Sequence, residues 1–178
     1  MDEILHLLRN ETFTDLLVPG FMKNDDPERY FQLLFDSVYL QVGIEERYLR
    51  LSAVNQGDQL KIGIADAIEH DSVLTADDET TAGVASLAEI YFGEAESLPC
   101  VSARFLLDAN SSVSSGVVKF AEFVFAGDQC ISFDPLWTFG VRLGSGGVGN
   151  RYRKGISGAY GYEDEYRWSS ESEGSKDQ

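Results

Sequence analysis

RYLRLSAVNQGDQLKIGIADAI, residues 47–68, decides how the chain folds. From Tyr48 to Val54 apolar and polar side chains alternate, the period of a strand with one buried face. The alternation stops at NQGD, residues 55–58, whose Asn and Gly suit the backbone of a tight hairpin. Gln59 opens a second apolar run, so an antiparallel hairpin is predicted here.

Working outward, the same grammar appears in two blocks. SVYLQVGIEERYLRLSAVNQGDQLKIGI, residues 37–64, reads as strand, short turn, strand, polar connection, strand. AEFVFAGDQCISFDPLWTFGVRL, residues 121–143, reads the same way, with AGDQ at 126–129 as its hairpin turn. The two blocks suggest a duplicated three-strand meander. Further strands are expected in FQLLFDSVYLQV (31–42), CVSARFLL (100–107) and GVVKFAEFVF (116–125).

Two helices are expected. EILHLLR, residues 3–9, places Ile4, Leu5, Leu7 and Leu8 at helical spacing, with Phe13, Leu16 and Leu17 continuing it until Pro19 and Gly20. A central helix is predicted in TADDETTAGVASLAEIYFG, residues 75–93. Thr75, Asp77 or Asp78 caps it, Val84, Leu87, Ala88 and Tyr91 share a face, and Gly93 stops it. NDDPERY, residues 24–30, reads as a turn or a helix start. The fold class is α+β: a mainly antiparallel sheet of about six strands with these helices. Residues 1–162 form one domain, and the polar, Ser-rich stretch 163–178 forms a disordered tail that Tyr166 and Trp168 can tack down.

GSGGVG, residues 144–149, matches G-x-G-x-x-G and is followed by Arg151, Arg153 and Lys154. A dinucleotide site needs those glycines to open a helix whose N–H groups hold the pyrophosphate, and then a second parallel strand. NRYRKGISGAYGY, residues 150–162, has three more glycines and no helical period. The glycines are therefore expected in a connecting loop, or on the path by which the chain leaves the sheet. No P-loop, nucleophile elbow or EF-hand spacing occurs. Cys100, Cys130, His6 and His70 make no zinc spacing, and the cysteines are expected as reduced thiols in or near the core. No catalytic residue, metal ligand or cofactor site is assigned, and the chain is not expected to be an enzyme.

Charge carries the functional expectation. With 30 acids against 14 bases the net charge is −16, unfavourable for binding nucleic acid or an anionic membrane. The start, MDEILHLLRNETFTDLL, has acids where an export signal wants bases, and predicts a cytoplasmic chain. Between Lys61 and Arg104 there is no Lys or Arg. That interval holds Asp66, Glu69, Asp71, Asp77, Asp78, Glu79, Glu89, Glu94 and Glu96. Such a field steers cationic partners, and Tyr91 and Phe92 stand inside it as candidate anchors. Asp66, Glu69, Asp71, Asp77, Asp78, Glu79, Tyr91 and Phe92 are the expected partner-binding residues. The expected function is neutralisation of a basic protein, in the manner of an immunity protein against a nuclease-type toxin. The rivals are an inhibitor that mimics nucleic acid, a ligand-binding protein or enzyme with a site in the β-rich core, and an assembly subunit.

Overall fold

The computed structural model describes residues 1–24, 31–43, 46–70, 80–138 and 140–170. The first half runs α1 (Asp2–Asn10), β1 (Thr12–Lys23), β2 (Phe31–Leu33), β3 (Ser37–Val42), β4 (Tyr48–Val54), β5 (Gln59–Ala65) and β6 (Thr80–Ser86). The second runs α2 (Ala88–Tyr91), β7 (Leu98–Leu107), β8 (Val117–Val118), β9 (Phe120–Phe125), β10 (Gln129–Trp137), β11 (Gly140–Gly144), β12 (Arg153–Lys154), β13 (Gly161–Tyr162) and β14 (Asp164–Ser169).

Twelve strands form one sheet in the order β11-β10-β9-β7-β1-β3-β4-β5-β8, with β14 beside β7 and β2 and β6 beside β1. The order is symmetric about β7 and β1. Each half is a helix, a four-strand antiparallel meander, and a fifth strand that returns to pair with the first: β6 with β1, β14 with β7. The register agrees in detail. A bulge falls between Phe13 and Asp15 where β1 meets β3, and between Cys100 and Ser102 where β7 meets β9. Past each fifth strand a backbone N–H closes onto the first strand, Leu87 to the Leu16 carbonyl at 2.8 Å and Ser170 to the Val101 carbonyl at 3.0 Å. The repeated unit is thus larger than the three-strand meander suggested by sequence.

The halves interlock. α1 of the first packs on β7 of the second, and α2 of the second packs on β1 of the first. β10 contacts β4 and β5, so the two meanders enclose a common core. β8 pairs with β5, and Phe35 bridges Gly140, which joins the outer margins. Gly140 has φ +102, and a Cβ there would stand 2.3 Å from the Phe35 carbonyl oxygen, so only glycine fits. α1 buries Ile4, Leu7 and Leu8, with Asp2 and Glu3 in its first turn and Arg9 in its last, as the helix dipole favours.

The mainly antiparallel sheet, the N-terminal helix and the hairpin turns at NQGD and AGDQ agree with the sequence. Asn55, Gln56, Gly57, Gly127 and Asp128 all take positive φ. The count of six strands is corrected to twelve in the main sheet. Three local cues caused the shortfall. Pro19 and Gly20 do not end α1; they lie inside β1. The Pro19 carbonyl accepts the Leu34 N–H at 2.8 Å. Gly20 is needed because a Cβ there would meet the Phe31 ring at 2.5 Å. The central helix shrinks to Ala88–Tyr91, because Thr80, Thr81, Gly83 and Val84 are poor helix formers and β1 offers them a ladder from Leu17 to Lys23. Gly93 does stop that helix, at φ +64. The proposed caps Thr75, Asp77 and Asp78, and residues 25–30 of NDDPERY, lie outside the described residues. Of the expected tail, Asp164–Ser169 forms β14, with Trp168 in the core, so the ordered chain runs past residue 162. Residues 171–178 lie outside the described part.

Phe125 of β9 joins the parts. Its ring meets Phe13 of β1 edge-on at 5.5 Å and Phe92, just after α2, at 5.3 Å. Phe125→Ala is expected to cost about 3–5 kcal/mol of stability, read from urea unfolding, because it removes a fully buried ring shared by both halves.

Candidate functional site

Each half must carry the chain from the fourth strand of its meander back to the first. In the first half this strap starts after Ala65. The Glu69 N–H donates to the Tyr39 hydroxyl at 3.1 Å, and its carboxylate pairs with Arg50 at 2.6 Å. Arg50 also lies over the Tyr39 ring, 5.8 Å from its centre. Tyr39 is fully buried and sits edge-on to Tyr48, a second small packing layer outside the main core.

In the second half the strap is the glycine motif. Residues 144–149 leave β11 and pass over the sheet into a four-residue 3-10 turn, Val148–Arg151; no long helix follows. The glycines serve close approach. A Cβ on Gly149 would lie 3.0 Å from the Arg104 guanidinium and 3.1 Å from the Phe120 ring, and one on Gly144 would lie 2.5 Å from the Val148 side chain. Beyond them Tyr152 packs on Phe120 at 5.0 Å between ring centres and donates its hydroxyl to Asp134 at 3.0 Å. Asp134 is fully buried, accepts the Leu136 N–H at 2.9 Å, and is paired with Arg142 of the neighbouring strand. Burial, and then the Asp134 charge, push the Tyr152 phenol well above its ordinary pKa. The hydrogen bond to Asp134 raises Arg142 in turn. Tyr152 is thus held as the neutral phenol and Arg142 as the cation, as a structural clamp requires.

The remaining reactive groups are also quiet. Burial raises the Cys100 thiol to about 12, and burial with the nearby Glu122 charge raises Cys130 to about 11. Neither is a thiolate near neutral pH, so neither is primed as a nucleophile. Both are free thiols. Among the described residues no group of three His, Cys, Asp or Glu is placed to hold a metal. An open cleft of about 730 Å³ lies where the β4–β5 and β10–β11 turns meet, lined by Asp36, Asp58, Asn55, Gln56, Leu136 and Tyr160. Both of its acids are exposed. No helix among the described residues is long and apolar enough to cross a membrane.

Of the residues expected to bind a partner, the four described ones are not brought to one spot. Asp66 is exposed beside Asp2, Glu3, His6 and Arg47 at the start of α1. Glu69 is exposed, but tied to Arg50. Asp71, Asp77, Asp78 and Glu79 lie outside the described residues. Tyr91 is half-buried, and its phenol pKa is raised by desolvation. Phe92 is 2% exposed and belongs to the core, so it is withdrawn as an anchor; the turn of α2 points it at Phe125. Sequence reasoning missed its neighbour. Ile90 is 73% exposed, with Glu89, Glu94 and Glu96 also exposed nearby in the chain. A four-residue helix can bury only part of its apolar set, and no periodicity in so short a segment marks which part.

Set against known proteins, the chain matches no family model, no curated protein and no solved structure.

The glycine assignment has a direct check. Gly149→Ala is expected to lose about 1–3 kcal/mol of stability by overpacking. Gly146→Ala is expected to be close to neutral, since its Cβ would meet Cys130 at an ordinary 3.5 Å. Urea unfolding of the two variants separates packing from a ligand role.

Proposed function

We propose that the chain is a small acidic binding protein of the cytoplasm that masks a basic surface on another protein, with toxin neutralisation as its biological setting. The observation that carries this is the acidic interval. Nine acids and no Lys or Arg fall between Lys61 and Arg104, and Asp66, Glu69, Glu89, Glu94 and Glu96 within it are exposed. A nuclease groove is cationic because its substrate is a polyanion, and a dense carboxylate surface competes for it and speeds encounter. The buried state of Asp134 and the raised thiols favour a binding role over catalysis. The proposed contact set centres on Glu89, Ile90, Tyr91, Glu94 and Glu96 and drops Phe92; Asp66, Glu69, Asp71, Asp77, Asp78 and Glu79 are kept for the field that steers the partner. Ile90 supplies the exposed apolar centre that a charged rim lacks by itself.

The test is capture from the native host with the tagged chain at low and moderate salt, followed by mass spectrometry, beside a Glu89→Lys/Glu94→Lys/Glu96→Lys variant. One stoichiometric basic protein, retained by the parent and weakened at least about tenfold in the variant, is the expected result. A partner held equally by both, or none at either salt, would remove the acidic surface from the function.

A further inference from the structure

We propose that the free edge of β6, residues 81–86, receives an extended basic strand of the partner by strand addition; this rests on the binding role proposed above. β6 pairs with β1 along one edge through a continuous register from Leu17↔Ser86 to Lys23↔Thr80, with no bulge. Among the described residues no strand pairs with its other edge. An open edge presents a row of backbone donors and acceptors, and proteins normally block such edges with charge, proline or a bulge.

The symmetry of the fold supplies an internal comparison. β14 occupies the same place in the second half, and its sequence DEYRWS carries Asp164, Glu165 and Arg167. Those charges are engaged: Glu165 bonds Arg104 at 3.1 Å and also pairs with Arg167. Burial would raise Glu165, but the bonds from Arg167 and Arg104 outweigh it and hold the carboxyl below its usual range. β6 reads TTAGVAS, with no charge and no proline. Its side chains are small, which lets a second backbone approach. Val84, at 39% exposed, offers a point of apolar contact. One of two equivalent edges is guarded and the other is bare.

Charge decides the occupant. Asp77, Asp78 and Glu79 precede β6 in the sequence, and Glu89, Glu94 and Glu96 follow it. Pairing β6 with a second copy would bring together two chains that each carry a net charge of −16. Like charges across a pair destabilise it. A strand flanked by Lys or Arg meets opposite charge at the end of β6 that Glu89 follows, where Glu89 is exposed. Main-chain bonds then supply affinity while the flanking charges supply specificity.

The experiment uses the full chain and a probe peptide of about ten residues, the length of a long strand, alternating Val and Lys with blocked ends. A second peptide is identical but N-methylated at alternate residues, which removes ladder donors and keeps the charge. Residue-resolved amide exchange is followed at low salt. The expected result is protection raised about tenfold or more within residues 81–86 by the first peptide and not by the second, and abolished in Val84→Lys. The methylated peptide keeps the test decisive even if that variant does not fold. Equal binding of both peptides, or protection confined to α2 and residues 94–96, would overturn strand addition while leaving the acidic binding surface in place. Protection that grows with protein concentration and no peptide would assign the edge to a second copy. Absence of binding at millimolar peptide also overturns strand addition, and the host capture decides the parent proposal separately.

Discussion

At the centre of the sheet, two residue pairs join the halves. Thr12 faces Pro99 and Phe13 faces Leu98, where β1 and β7 meet antiparallel at their starting ends. Beyond that short ladder the two strands run in opposite directions, and each leaves an edge to be filled. β6 fills the edge of β1 and β14 fills the edge of β7. β6 and β7 therefore lie along one line, interrupted by α2, and β14 stands in the same relation to β1. Each half completes its first strand only by sending its fifth strand back, and each contributes its helix to the strand of the other half. The rings of Phe13, Phe92 and Phe125 occupy the place where these demands converge.

The return of the fifth strand has a cost in geometry. The described parts of the two connections meet the sheet by different chemistry. The first strap brings an acid, Glu69, to Arg50 on the sheet. The second lies low on glycines and brings a tyrosine to a buried carboxylate that its neighbouring arginine already compensates. A buried Asp is tolerable there because every oxygen has a donor. The same division appears at the edges, where charge covers β14 and leaves β6 bare. The two halves thus share a backbone arrangement and differ in the charges they carry.

The strands with clean alternation were legible because one face is buried and the other is not, as in Leu49, Leu51, Leu60 and Ile62. Hairpin turns were legible because Asn-Gln-Gly and Gly-Asp must take positive φ. β1 was hidden by Pro19 and Gly20, read as a stop, when the glycine answers to a ring packed on its Cα from β2. β6 was hidden by the helical spacing of Val84, Leu87, Ala88 and Tyr91, which yields to a long partner strand. β14 was hidden by the polar composition of an edge strand with one buried residue, Trp168. For the site, charge density was legible and orientation was not. No periodicity within five residues distinguishes outward Ile90 from inward Phe92; only the packing of α2 against β1 and β10 does.

The most direct measurement on this account is native-state hydrogen exchange across the free chain as denaturant is raised. If the β1–β7 ladder is the shared constraint, the amides of Phe13, Leu16, Ala103 and Phe105 reach one common opening free energy, equal to that of global unfolding. The meanders β3–β5 and β9–β11 then lose protection together. Protection that persists in β3–β5 after β9–β11 has exchanged, or the reverse, would mean that the halves open independently and that the ladder does not hold them as one unit.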